Sequence, residues 1–403
     1  MIARMAFRNM FRQKRRSILT ALTMGGGVAL FAMALGMADG SYDYIIDAFT
    51  RTHTGHVQIH AGDYLDRPSI YKVIPAAEEL GRVIEGLPDT RAWTPRVYAA
   101  ALGFVDTKTS GLRVMGVDPV REHDATGLGD RVVTGRFLGA TPRDETLISP
   151  GLAAAVEARI GDELALIAQA ADGSIANMLY TIVGFLGDDS PLERKAYLHI
   201  DTAREFLTLG DASHEIAILL SGHDRAETSA REIRAAVADD ALDVQPWQVV
   251  ERLFYEAMQT DKQGTWVSVI VIMIIVAVGV LNAVLMAILE RSREYAVLRA
   301  LGTQPWTVFR LIVLETLFIG IASVFGGTVV GLGGNWYLSR NGISLGDSAV
   351  EYGGMMFDRV LGAVTWQTIW APAAVTLLTA ILVSVAPALR ATRVQPAAGM
   401  RAP

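Results

Sequence analysis

Residues 286–302 read MAILERSREYAVLRALG. No Asp, Glu, Lys or Arg occurs between Lys262 and Glu290; then Glu290, Arg291, Arg293, Glu294 and Arg299 follow in one short stretch that stops at Gly302. A second long apolar stretch begins soon afterwards. A charge-dense segment between two apolar runs of this length reads as a connection between membrane-spanning helices. That reading organises the rest of the chain.

A helix needs about 20 mostly apolar residues to cross a bilayer. Four stretches qualify: Ser17 to Ala38, Gly264 to Leu289, Leu311 to Leu338, and Thr365 to Leu389. Only the third holds an ionisable acidic or basic residue, Glu315. The first has a basic start and small residues near Ala38, as a cleaved signal peptide has. A signal peptide's apolar region runs about 7–15 residues, however, and this stretch is longer, so it is read as a retained helix. The chain has no cysteine, which excludes a disulfide framework, thiolate metal sites and lipid anchoring through Cys.

Charge orients the four helices. Arg4, Arg8, Arg12, Lys14, Arg15 and Arg16 precede the first helix; Arg291, Arg293, Arg299 and Arg310 lie between the second and third; Arg390, Arg393 and Arg401 follow the fourth. Against them stand Glu290 and Glu294. The positive-inside rule makes these three segments cytoplasmic. The segment 39–262, with 21 Lys/Arg and 36 Asp/Glu, then lies outside, and its acidity is compatible with that side without requiring it. The basic ends are explained by topology and anionic membrane lipid. Without a basic patch interleaved with aromatics, nucleic acid is not an expected partner.

The expected fold is therefore membrane α-helical, with four transmembrane helices and a large α+β periplasmic domain on helical stalks. Tyr42, Ile45, Ile46 and Phe49 continue the first helix at helical spacing, and Val249, Val250, Leu253, Phe254 and Met258 form an apolar stripe before the second. The expected divisions are 1–38, 39–262 and 263–403. Between the stalks, strands are expected at 56–60, 97–105, 112–117, 164–168, 179–185, 197–200 and 216–220, and helices at 76–85, 152–159, 202–209 and 225–238. Asp201 has the character of an N-cap, Asp224 with Glu227 that of a capping box, and Asp172-Gly173 that of a hairpin turn. Segment 188–195 reads as a loop, and 339–364 as a short outer loop.

Chemistry-bearing motifs are mostly missing. None of the five lysines follows a glycine, so the chain has no P-loop of the Gly-Lys-Ser/Thr kind and does not hydrolyse ATP by that route. There is no H-E-x-x-H, and no catalytic residue is assigned. His53, His56 and His60 cluster in RTHTGHVQIH, and period two puts His56, Gln58 and His60 on one strand face. A solvated strand face is the expectation there rather than a metal site.

Glu315 sits about two turns inside the third helix, where an acid is costly unless paired or facing protein or water. Two readings stay open: a coupling residue or interhelix partner of a base, or an acid that snorkels to the interface. Gly327 and Gly331, with Gly333 and Gly334, give that helix a small-residue face suited to close packing, within the chain or across a dimer. Finally, a positive-inside loop explains the arginines of 290–302, but not its glutamates or the apolar pairs Val297/Leu301 and Tyr295/Leu298. A short amphipathic helix that docks a cytoplasmic partner explains both.

The run Leu289–Gly302 closely resembles the cytoplasmic motif of FtsX-like ABC-transporter permeases. So do the amphipathic start Ala6–Ser17 (AFRNMFRQKRRS) and the ending Ala386–Pro396 (APALRATRVQP). The resemblance spans the chain. Within the MacB/FtsX group, the four-helix layout without a fused ATPase is similar to the lipoprotein-releasing permeases LolC and LolE, and Thr54–Asp66 resembles the LolE type. The resemblance implies a bacterial inner-membrane permease that pairs with a second permease, identical or homologous, and with separate ABC ATPase subunits. Those subunits, not this chain, would hold ATP and Mg. It implies mechanotransmission: ATPase closure moves the helices, and the periplasmic domain extracts lipoproteins or other hydrophobic substrates. The alternative is a signalling permease controlling a periplasmic cell-wall hydrolase; a membrane-anchored periplasmic enzyme is a third class. Carried onto this chain, Glu290, Arg291, Arg293, Glu294, Arg299, Leu301 and Gly302 form the ATPase-docking coupling helix. Glu315, Gly327 and Gly331 serve transmembrane coupling or packing, and Arg12, Lys14 and Arg15 seat the start at the membrane.

Overall fold

The computed structural model describes residues 2–12, 14–187, 193–346, 350–352, 355–357 and 359–392. In chain order the elements are α1 (Ile2–Arg12), α2 (Lys14–Phe49), β1 (Val57–Ala61), α3 (Ala77–Glu85), β2 (Thr90–Val105), β3 (Lys108–Val117), α4 (Pro119–Thr126), β4 (Val132–Gly135), β5 (Glu145–Ile148), α5 (Pro150–Val156), β6 (Glu163–Gln169), β7 (Ile175–Leu186), β8 (Lys195–His199) and α6 (Ile200–Phe206). There follow β9 (Glu215–Leu220), α7 (Ala226–Val237), β10 (Leu242–Pro246), α8 (Trp247–Val250), α9 (Arg252–Glu290), α10 (Ser292–Ala300), α11 (Pro305–Asn341) and α12 (Trp366–Thr392). They form two compact units, a helical one drawn from 1–44, 258–348 and 358–403, and a β-rich one drawn from 45–257 and 349–357.

In the helical unit, α2, α9, α11 and α12 are, among the described residues, the four helices long and apolar enough to cross a membrane. Val269, Met273, Val276, Val280, Val284 and Ile288 recur along α9 at helical spacing and are buried against Met24, Phe31, Leu35, Leu311, Ile312 and Ile319. The other faces of α9 carry exposed Ile270, Ile274, Ile275 and Val278, as suits contact with lipid. Burial of apolar area does not drive helices together in lipid, so the close packing of small residues matters more. A Cβ on Gly327 would lie 2.4 Å from the Gly25 carbonyl oxygen and 2.7 Å from Val28 Cβ, and one on Gly331 would lie 2.8 Å from Ala32 Cβ. The small-residue face of α11 thus meets α2 of the same chain, while Gly333 has nothing within 4 Å. Asn335 adds a polar tie, its Nδ2 donating to the Ala32 carbonyl at 2.8 Å.

Neither α2 nor α9 ends with its apolar stretch. At 1.5 Å per residue their 36 and 39 residues reach about 54 and 58 Å, against a hydrocarbon core of about 30 Å. Tyr42 Oη donates to Asp261 Oδ2 at 2.9 Å in the helical unit, and Phe49 stacks on Phe254 at 4.1 Å in the β-rich unit. The stripe before the second helix divides. Phe254 and Met258 are buried, but Val249 and Leu253 are exposed, because Glu251 leaves helical geometry (φ −108°, ψ 53°) and turns α8 away from the line of α9.

In the β-rich unit, β2, β3, β8, β5, β7 and β6 pair in turn and return to β2, closing a six-stranded ring. Alternate residues point inward. Val97, Ala101, Val105, Leu112, Val114, Leu164, Leu166, Tyr180, Ile182, Ala196 and Leu198 fill the interior, and Leu102 and Leu179 point out. The first half of β2 reaches beyond the ring to pair with β9, followed by β1 and β10. Asp172-Gly173 does turn the β6–β7 hairpin, with Gly173 at φ +85° and the Asp172 carboxylate accepting from Ser174 N–H at 2.9 Å.

Two caps differ from expectation. His199 Nδ1, not Asp201, accepts at the start of α6, from Asp201 N–H at 3.2 Å, because the helix begins at Ile200. Asp224 forms no capping box: it lies in a 3₁₀ turn, His223–Arg225, and Arg225 precedes α7 with no side-chain cap. Of the expected loop at 188–195, residues 188–192 lie outside those described, as do Arg393 and Arg401 of the basic tail.

Candidate coupling site

The stretch 290–302 folds as the end of α9, a one-residue break at Arg291 (φ −103°, ψ 10°), and the short α10. Its end is a Schellman turn, in which Thr303 N–H donates to Leu298 O at 3.0 Å and Gly302 N–H to Arg299 O at 3.1 Å. Gly302 takes φ +91° with open space around it, so the backbone angle rather than crowding calls for glycine. Arg299 Nη1 also donates to Thr303 O at 3.2 Å, which satisfies a carbonyl of the turn that follows the helix. Gln304 and Pro305 then start α11, with proline at its first position.

The residues of this stretch divide into two sets. Arg291 turns inward and is 2% exposed. Its Nη1 donates to both carboxylate oxygens of Glu315, at 3.1 and 2.9 Å, and its Nε lies 3.8 Å from Glu294 Oε2. Glu315, on α11, is itself buried. The pair therefore clamps the start of α10 to α11, and Glu315 does not snorkel. Ala296 is fully buried, and Leu298 packs on the helical core. Glu290, Arg293, Glu294, Val297 and Leu301 remain at the surface, Leu301 at 78% exposure. Arg291, read from sequence as part of a docking surface, is corrected to an internal anchor, and Arg299 and Gly302 serve the turn. Tyr295, expected to pair with Leu298, lies outside the residues whose side chains are described.

Helix α1 reinforces the same region. Ala6 is fully buried in the helical core, and Phe7 meets Phe318 edge-on at 5.9 Å, less than one turn from Glu315. The amphipathic start thus packs on α11. Arg4, Arg8 and Lys14 are exposed, and the Arg12 side chain is outside those described.

A second polar centre lies within the β-rich unit. Arg96 is fully buried; its Nη2 and Nε donate to Glu122 at 2.7 and 3.1 Å, and its Nη1 donates to Glu215 at 2.9 Å and to His53 O at 2.6 Å. Burial opposes the Arg96 charge, but Glu122, Tyr98 and Glu215 outweigh it and hold the pKa above its ordinary value. Asp118 delivers Glu122 to this position by capping α4, accepting from Val120 and Arg121 N–H at 2.9 and 3.0 Å. The three histidines do not converge. His53 stacks on Phe49, His56 Nδ1 accepts from Leu220 N–H at 2.9 Å, and His60 lies 2.9 Å from Gln58 Oε1. His56 and His60 are buried rather than solvated, and among the described residues no group of three His, Cys, Asp or Glu is placed to hold a metal.

Two family models match the chain: a MacB-like periplasmic core domain over residues 17–236 and an FtsX-like permease C-terminal domain over 266–396. Among curated proteins, the lipoprotein-releasing system transmembrane protein LolC of Neisseria meningitidis is 23% identical over 79% of this chain and 80% of its own length. LolE of Haemophilus influenzae is 20% identical over 94% and 92%. Among solved structures, the periplasmic region of MacB from Actinobacillus actinomycetemcomitans aligns with 52% of this chain and 97% of its own, at 15% identity and a TM-score of 0.39.

Proposed function

The chain belongs to the ABC-transporter permeases that join a MacB-like periplasmic core domain to an FtsX-like C-terminal domain, and from that premise we propose that it transmits motion from a separate ABC ATPase to its own periplasmic domain, extracting lipoproteins or other hydrophobic substrates from the bacterial inner membrane. One observation carries this reading: α10 is anchored on one face by Arg291–Glu315 and open on the other at Val297 and Leu301. A docking helix that slipped on its own scaffold would dissipate force; one clamped to α11 passes displacement into the membrane helices. The uninterrupted α2 and α9 then carry it outward, since a continuous helix transmits axial load where a flexible linker does not. ATP and Mg belong to the partner ATPase, and a second permease copy, identical or homologous, completes the assembly. The distant LolC and LolE relatives support lipoproteins as the cargo.

The test reconstitutes the full chain with its cognate ATPase in nanodiscs and adds triacylated lipoproteins. Stimulation of ATP hydrolysis is expected. A complex indifferent to lipoproteins that instead co-purifies with a cell-wall hydrolase would replace extraction by signalling.

A further inference from the structure

The β-rich unit holds a cavity of about 1040 Å³, at the upper end of the range for small-molecule sites. One sheet face, with Tyr98, Arg113 and Tyr197, lines it together with Tyr64 and Glu251. Tyr64 is fixed as a wall by stacking on His60 at 5.0 Å. The floor is charged. Arg96 faces two carboxylates, Glu122 and Glu215, and Tyr98 Oη also donates to Glu215 at 3.2 Å. Thr94 Oγ1 and Thr126 Oγ1 also donate to Glu122, at 3.0 and 3.2 Å, so this network is closed on itself.

Two lining charges are left over from this network. Glu251 and Arg113 make no ion pair with each other or with any other described residue. Lys195 and Glu193, by contrast, pair with each other. Burial first, and then the neighbouring Glu215 charge, push the Glu251 carboxyl above its ordinary range, so it sits where a cation would be welcome. Tyrosine faces beside carboxylates suit an ammonium group. Arg113, exposed and unpaired, offers a fork of donors that matches a carboxylate or a phosphate.

We propose that this cavity binds a zwitterionic ligand, its ammonium at Glu251 and the tyrosines, and its anionic group at Arg113. Two sources carry that chemistry: a short peptide with free termini, and a phosphoethanolamine lipid headgroup. The site is independent of α10, so its failure leaves the coupling account standing, and the reverse also holds.

The test uses the full chain in nanodiscs of phosphatidylglycerol, with binding followed by isothermal titration. The probes are tri-alanine, N-acetyl-tri-alanine, tri-alanine amide and soluble dihexanoylphosphatidylethanolamine. Blocking either terminus removes a charge-assisted contact and weakens binding by about tenfold or more. Acetylation weakens binding to the wild type but has little further effect on Glu251→Gln; amidation behaves the same way with Arg113→Gln. Glu251→Asp and Arg113→Lys, which keep the charges, retain part of the affinity and guard against misfolding of the neutral variants. Binding of tri-alanine alone assigns the peptide source, and binding of the lipid alone assigns the headgroup. If neither probe binds at millimolar concentration, or blocked and free probes lose affinity equally in wild type and variants, the proposal is overturned.

Discussion

Consider Arg291→Met, which leaves Glu315 buried without its partner. Removing one member of a buried ion pair costs about 3–5 kcal/mol, because the stranded charge stays desolvated. Helix α10 has nine residues, below the roughly 12–15 at which an isolated helix holds in water, so its order depends on docking. Most of the cost therefore falls on the equilibrium between docked and released α10. A loss of 3 kcal/mol raises the released fraction by about 100-fold. The chain contains no cysteine, which makes the readout simple. Ala296→Cys replaces a fully buried residue, and its maleimide-labelling rate reports release. We expect labelling to quicken by about 100-fold in Arg291→Met, and to fall back towards the parental rate when Glu315→Leu is added, since no charge is then stranded. Unchanged labelling in Arg291→Met, or a double variant as reactive as the single, would refute the clamp.

Further predictions follow from the packing and the buried charges. Gly331→Leu overfills the α2–α11 contact and lowers thermal stability in detergent by about 1–3 kcal/mol, whereas Gly333→Leu, with open space at its Cβ, changes it little. Gly302→Ala forces a non-glycine residue to φ +91° and costs about 1–2 kcal/mol locally, read as faster labelling at Ala296→Cys. Arg96→Met strands Glu122 and Glu215 and lowers the unfolding midpoint of the β-rich unit, a loss that Glu122→Gln in the same chain partly relieves. Burial, the largest cause at both sites, lowers the pKa of His56 and of His214 from 6.5 to about 4. The unfolded chain thus binds more protons between about pH 6.5 and 4, and each histidine removes stability as pH falls through that window, up to about 3 kcal/mol. His56→Gln should flatten the stability–pH slope there, and an unaltered slope would count against the assignment.

The membrane layout was legible because an uncharged run of bilayer length has few other physical explanations, and because Gly302 and Pro305 are strong punctuation. Which arginine turns inward was not. Arg291 and Arg293 are two residues apart in a short, charge-rich helix, and nothing local separates them. The usable signal lay in the third helix, where a buried acid, Glu315, required a cation, and Arg291 stands at the mouth of the preceding helix. The ring of strands was found only in part. Pro95 disguised the first half of β2, since proline weakens a strand reading, and β4 and β5, with four residues each, are too short to show alternation. The Asp118-Pro119 start of α4 was a readable cap signal, and with it Glu122 could have been placed on a helix. Its meeting with Arg96 is a long-range contact that no local pattern encodes. The histidines misled for the same reason: alternation shows which residues share a face, but not that both faces of β1 are covered.

The most direct test of the account is a photocrosslink from α10 in the assembled complex. With benzoylphenylalanine at Leu301, the exposed tip of the proposed docking face, ultraviolet light should join this chain to the ABC ATPase; the same probe at buried Ala296 should not. No ATPase adduct at Leu301, or equal adducts at both positions, would contradict it.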